Sequence, residues 1–225
     1  MTRGFFITGT DTGVGKTLAA CALLHAFAAA GERVAGMKPV AAGAVRGDGG
    51  LVNDDVVQLR AAANIETPLD LVNPYCFEPP IAPHLAAERA GVEISIDVIA
   101  GAFAALAERA GVVVVEGAGG FCVPLNATQD SGDLAARLGL PVILVVGVRL
   151  GCLNHALLTA RAIAEHNLAF AGWIANRIDP QMMEADLNVR ALERRLAAPL
   201  LGDIDYDAPS DATRIAARLD LSLLR

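Results

Sequence analysis

Gly4-Phe-Phe-Ile-Thr8 is a short apolar run, followed without a break by Gly9-Thr-Asp-Thr-Gly-Val-Gly-Lys-Thr17. From Lys16 an Ala- and Leu-rich helical pattern runs to Ala30 and meets Gly31 at a C-cap position. A buried strand, a glycine-rich turn and a helix in that order admit few folds, because the helix must pack back along the sheet. The loop also carries chemistry. Its glycines let several backbone N–H groups point inward at phosphate oxygens, and the helix start adds unsatisfied donors at a positive dipole end. Lys16 can neutralise the outer phosphates, and the Thr17 hydroxyl suits a magnesium ion. The usual G-x-x-x-x-G-K-[ST] spacing puts its first glycine at Thr10, whereas this chain has Gly9. An ordinary glycine-rich turn is the alternative; the Gly-Lys-Thr placed between strand and helix favours a nucleotide phosphate site.

The rest of the chain alternates short apolar runs with longer helical stretches, as βαβ units do. Strands are expected at Gly4–Thr8, Val34–Lys38, Val112–Glu116, Val142–Val148, Ala171–Asn176 and Leu200–Ile204. Helices are expected at Lys16–Ala30, Asp54–Ala63, Leu153–Glu165, about Met183–Leu196, and at Ile96–Ala110 with Ser95 as N-cap. Five prolines break Glu66–Pro83, which reads as an irregular crossover with a short strand near Leu71–Tyr75. With no internal repeat and no linker-like tract, residues 1–225 are expected to form one α/β domain, a mostly parallel central sheet flanked by helices.

Composition narrows the partners. The formal charge of −7 and the absence of a Lys/Arg stripe argue against nucleic acid or an anionic membrane. Arg194–Arg195 is an isolated pair on a solvated helix face. No apolar run has bilayer length, and the N-terminus lacks the pattern of a signal peptide, so a soluble cytoplasmic protein is expected. Cys21, Cys76, Cys122 and Cys152 form no C-x-x-C pair and read as reduced thiols.

Val112–Val115 is apolar throughout and ends in Glu116-Gly-Ala-Gly-Gly120, the pattern of a central strand buried on both faces. Ligands of open parallel sheets lie beyond the carboxyl ends of the strands, so Glu116 would face a metal or its water shell, with Gly117–Gly120 giving close backbone access. A surface Glu before a turn is the alternative. Asn53-Asp54-Asp55 opens a helix, and both capping and ligand binding fit it. Lys38 ends the second strand, and Pro39 stops a helix from continuing there. None of His25, His84, His155 and His166 is assigned as a general base, and Trp173 reads as a packing residue.

Taken together, Gly9–Thr17, Met37-Lys-Pro-Val40, Val72-Asn-Pro-Tyr75, Val115–Gly120, Gly151-Cys-Leu-Asn-His155 and Gly172-Trp-Ile-Ala-Asn176 resemble dethiobiotin synthetases, in order and over nearly the whole chain. The resemblance implies a P-loop NTPase-like fold and an ATP-dependent ligase of biotin biosynthesis. In that family 7,8-diaminononanoate and CO2 form a carbamate, ATP activates it as a mixed anhydride, and ring closure gives dethiobiotin, ADP and phosphate. It implies Lys16 and Lys38 as catalytic charge stabilisers, and Thr17, Asp55 (rather than Asp54) and Glu116 around Mg2+. The nucleotide would be held by Gly13, Val14, Gly15, Lys16, Thr17, Leu18, Asp55, Glu116, Gly117, Ala118 and Gly119. Asn176, Arg177, Asp205, Tyr206 and Asp207 would line the adenine end. Thr12, Lys38 and Ala42 would meet the diamine, with Gly151 and Asn154 reaching it from across a homodimer interface. Two positions depart from the family pattern: Ala42 stands where a hydroxyl residue is common, and Gly13 where a well-known form has Glu. The main rival is a nucleotide-switched partitioning ATPase, but its extra lysine, five positions before the loop lysine, is Asp11 here. A related carboxylate-activating ligase with another substrate is the second rival.

Overall fold

The computed structural model describes residues 3–47, 49–206 and 211–224. In chain order, β1 (Arg3–Gly9) leads through the glycine loop into α1 (Lys16–Ala29), then β2 (Val34–Met37), β3 (Val40–Ala42), β4 (Val45–Gly47) and β5 (Gly50–Val52). Next come α2 (Asp54–Ala62), α3 (Leu69–Val72), β6 (Tyr75–Phe77), α4 (Pro83–Ala90), α5 (Ile96–Ala107) and β7 (Val112–Glu116). The last third holds α6 (Ser131–Leu138), β8 (Val142–Val148), α7 (Cys152–Glu165), β9 (Phe170–Arg177), α8 (Ala185–Glu193), β10 (Leu200–Ile204) and α9 (Ala212–Ala216).

Six strands form one parallel sheet in the order β10-β9-β8-β1-β7-β2. The inner strands β7 and β8 read as nearly continuous apolar runs because both faces are covered. On one face Phe5, Ile7, Val112 and Val114 pack with α1 and the C-terminal elements; on the other Phe6, Val113 and Val115 pack with residues of α4, α5 and α6. Trp173 is fully buried with Leu144, Val146 and Leu192 in a third cluster. Outside the main sheet, β3 pairs in parallel with β6, and β4 with β5 antiparallel.

Three expectations are corrected. The strand placed near Leu71–Tyr75 is α3 followed by β6. Pro68 leads into that turn, the Asn73 N–H closes it on the Leu69 carbonyl, and pairing begins at Tyr75, after Pro74. The helix from Ile96 stops at Ala107, and the one expected from Met183 starts at Ala185, after Glu184 adopts a positive φ of 57°. Helices α4 and α6 were not anticipated; a capping box between Asp130 and Asp133 starts α6. At α1 the expected Gly31 stop holds: its φ is 88°, its N–H meets the Ala28 carbonyl, and the Glu32 N–H reaches that of Phe27. Among the described residues no helix is long and apolar enough to cross a membrane. All four cysteines are free thiols, and burial pushes Cys21 up to about 12.

Candidate functional site

Parallel pairing puts the C-terminal ends of β1, β7 and β2 side by side, with Ile7 opposite Glu116 and Met37 opposite Val115. The glycine loop, Glu116 and Lys38 therefore meet at one edge of the sheet. Gly13 and Gly15 take positive φ values of 75° and 89°, and no side chain caps the start of α1, so the backbone donors there stay available to an anion. Gly15 has a second reason to lack a side chain, since a Cβ would sit 2.2 Å from Asn176 Nδ2. The amide of Asn176, at the end of β9, donates to the Val14 carbonyl at 2.8 Å and pins the loop to the sheet.

Lys16 is 7% exposed, and its ammonium donates to the Asp11 carbonyl at 2.9 Å. Burial first, then the charge of Lys38, pulls its pKa down to about 8. Lys38 donates to Glu116 Oε1 at 2.5 Å and to Asp55 Oδ2 at 2.8 Å. Burial pulls its pKa down, but the two carboxylates outweigh burial and hold it above the ordinary lysine value. Glu116 is 1% exposed, and burial raises its pKa against the pull of Lys38. Its Oε1 also accepts from Thr17 Oγ1 at 3.0 Å, while its buried Oε2 has no hydrogen-bond partner among the described residues. Asp55 is lowered because Lys38 and Thr17 overcome its burial. The capping reading of Asn53-Asp54-Asp55 holds, since Asn53 caps α2; Asp55 turns toward Lys38, and Asp54 is exposed.

A cavity of about 820 Å³ opens beside this cluster. Of the residues singled out in the sequence, Thr12, Gly13, Gly15, Lys16, Thr17, Lys38, Ala42, Asp55, Glu116, Ala118 and Gly119 line it. Val40, Val123 and Pro80–Pro83 add an apolar part to its lining. That part was missed: the proline-rich stretch reads as a crossover, and nothing in its pattern says which end of the sheet it covers. Asp11 was also missed as a lining residue; its carboxylate binds Arg149.

Other residues lie apart from the cavity. Leu18, in the first turn of α1, packs against the core. Gly117 is hemmed in by the Phe6 ring, 3.1 Å from where a Cβ would stand. Arg177 is held by Asp203 at 2.7 Å and Asp186 at 2.7 Å, and these hydrogen bonds raise its pKa. Asp205 and Tyr206 are exposed beyond β10, and Asp207 lies outside the described residues. Gly151 and Asn154 are exposed at the start of α7.

A protein-family model described as an AAA domain matches residues 3–214. ATP-dependent dethiobiotin synthetase BioD of Nitrosospira multiformis is 55% identical over 222 residues, covering 99% of this chain and 96% of the relative. The protein of the same name from Aromatoleum aromaticum is 56% identical over 219 residues, covering 97% of each. The chain belongs to the dethiobiotin synthetase family. Among solved structures, the septum site-determining protein MinD of Pyrococcus horikoshii, complexed with Mg-ADP, is similar at a TM-score of 0.57 and 19% identity, covering 92% of this chain and 82% of that one. A likeness at that identity bears on the fold alone, so the shared sheet says nothing for a MinD-like switch. Family membership instead favours the ligase reading.

Proposed function

We propose that this chain is an ATP-dependent dethiobiotin synthetase that carboxylates 7,8-diaminononanoate and closes its ureido ring. The observation that carries the reading is Lys38, buried between Glu116 and Asp55 beside the phosphate loop. Relatives bearing that name at 55% and 56% identity support it.

One amine of the diamine adds to CO2 and loses a proton, giving a carbamate. A carbamate oxygen attacks the γ-phosphorus of ATP, ADP leaves, and a carbamic–phosphoric mixed anhydride remains. The second amine attacks the carbamate carbon, forming the second C–N bond; phosphate departs and the amine releases a proton, which makes the chain a cyclo-ligase. This chemistry needs no protein nucleophile and depends on positioning and charge neutralisation. Lys16 leaves the Asp11 carbonyl to meet the outer phosphates, and Lys38 stabilises charge on the carbamate and the transferring phosphoryl group. Gly13–Leu18 and Gly117–Gly119 flank the nucleotide. Asn176, Arg177, Asp205 and Tyr206 border its adenine. Thr12 and Ala42 face the diamine. Residue 42 offers no hydroxyl, and its carbonyl is taken by Asn53 Nδ2 at 3.3 Å, so a polar contact to the carbamate must come from elsewhere.

Thr17, Asp55 and Glu116 fit Mg2+, since all are oxygen donors and Glu116 Oε2 is buried without a partner. The ion would neutralise phosphate charge there. We read residues 1–225 as one domain of a cytoplasmic homodimer, in which Gly151 and Asn154 reach the diamine of the other protomer.

The purified protein is incubated with ATP, magnesium, bicarbonate and 7,8-diaminononanoate, and dethiobiotin is followed by mass spectrometry beside phosphate release. Matching product and phosphate, lost by about 100-fold or more in Lys16→Ala and Lys38→Ala, is the expected outcome. ATP binding by a folded protein that forms no product would overturn the assignment.

A further inference from the structure

We infer that Asn73 is a positioning residue for Lys38, holding the backbone from which the lysine reaches the site. The inference rests on the proposed role of Lys38 and deepens it. The Val72-Asn-Pro-Tyr75 segment takes no part in the reaction as described, yet it holds the chain on both sides of that lysine. At Lys38-Pro39 the chain leaves the main sheet, and both backbone groups of Lys38 need new partners. The Lys38 N–H donates to the Val72 carbonyl at 2.8 Å, and the Lys38 carbonyl accepts from Asn73 Nδ2 at 2.6 Å. The same amide donates to the Tyr75 carbonyl at 2.9 Å, and the Tyr75 N–H meets the Pro39 carbonyl at 3.1 Å. Pairing of β3 with β6 then continues the attachment.

Asn73 is 8% exposed, and one NH2 group serves two carbonyls that face each other across the turn. An Asp of the same shape offers two acceptors to those acceptors. The loss should appear as misplacement of the lysine, because the phosphate loop belongs to another strand and another turn. Asn64 supplies a control at the opposite end of β2. Its Nδ2 donates to the Glu32 carbonyl at 2.8 Å, and its Oδ1 accepts from the Val34 N–H at 2.8 Å, so it clamps the same strand at the end away from Lys38.

The test compares wild type, Asn73→Asp, Asn73→Ala and Asn64→Asp. Four quantities are measured: dethiobiotin kcat, ATP affinity by calorimetry, amide hydrogen exchange over residues 38–42, and thermal stability. Both Asn73 variants should lose roughly 10- to 100-fold in kcat, the scale of an ångström-sized misplacement, while ATP affinity stays within about twofold. Exchange over 38–42 should quicken in them and not in Asn64→Asp, whose kcat should stay close to wild type at a comparable loss of thermal stability. An equal fall of kcat in Asn64→Asp, or an Asn73→Asp protein with wild-type kcat, overturns the inference. Unchanged exchange over 38–42 also overturns it, and that readout needs no turnover. Wild-type product formation judges the ligase reading separately.

Discussion

Lys16 and Lys38 share one cavity and are driven in opposite directions. Two carboxylates face Lys38 and keep it charged, whereas Lys16 has a carbonyl for a partner and a second ammonium within electrostatic reach. In the free protein Lys16 therefore starts to lose its proton near pH 8. Since the unfolded chain keeps that proton to higher pH, the penalty on folding lifts as pH rises through about 8 toward the ordinary lysine value. Phosphates entering the loop reverse the shift, so ATP binding at pH 8.5 should take up protons, and at pH 6.5 Lys16 should take up almost none. Calorimetry in buffers of different ionisation enthalpy reads the uptake; heats independent of buffer at pH 8.5 would refute it. At this scale the site was largely legible in the sequence. Lys16, Thr17 and Glu116 were marked by the strand–loop–helix pattern and by the end of an apolar strand. Asp55 was not separable from Asp54 on sequence pattern, because both follow a capping Asn; the family resemblance chose between them. Asp11 was not read as a lining residue because its place there depends on Arg149, 138 residues away.

Elements succeed or fail on their ends. Asn53 accepts from two N–H groups of α2, and the same helix carries Asp55. Asn53→Ala should cost about 1 kcal/mol, and Asn53→Asp, which keeps the cap, far less. Asp130→Ala at the capping box of α6 should cost a similar ~1 kcal/mol. Urea denaturation measures all three, and a cap deletion without effect would mean that packing alone holds the helix end. The strands Val112–Glu116 and Val142–Val148 match expectation residue for residue, since two-sided burial demands a nearly uninterrupted apolar run; the edge strand Leu200–Ile204 matches as well, although Gly202-Asp203 interrupts its apolar pattern. Helix α6 was overlooked because it is short and opens on Ser131-Gly132, which reads as loop until the reciprocal bonds of Asp130 and Asp133 are seen. The stretch from Leu71 to Tyr75 misled for a different reason. Its apolar residues suit either state, and the tertiary partner β3 decides where pairing begins.

Across the molecule, nucleotide and metal should report on stability together. ADP with magnesium at about 100 times its dissociation constant adds about 2.7 kcal/mol. For a chain of this size that raises the thermal midpoint by roughly 5–10 °C. Chelation should remove most of the gain, because Thr17, Asp55 and Glu116 then face the phosphates without a cation. A shift indifferent to chelation would take the metal role away from them. The sheet order was not legible in the sequence, since hydrophobic runs show that strands are buried and not which strands are neighbours. That order sets a timetable for synthesis. Arg3–Ile7 pairs with Val112–Glu116, and Phe6–Gly9 with Val142–Val145, so the first strand made sits between two made much later. A ribosome that has translated the glycine loop has not yet supplied either strand that flanks β1. The phosphate loop is therefore translated well before the strands that hold it in place.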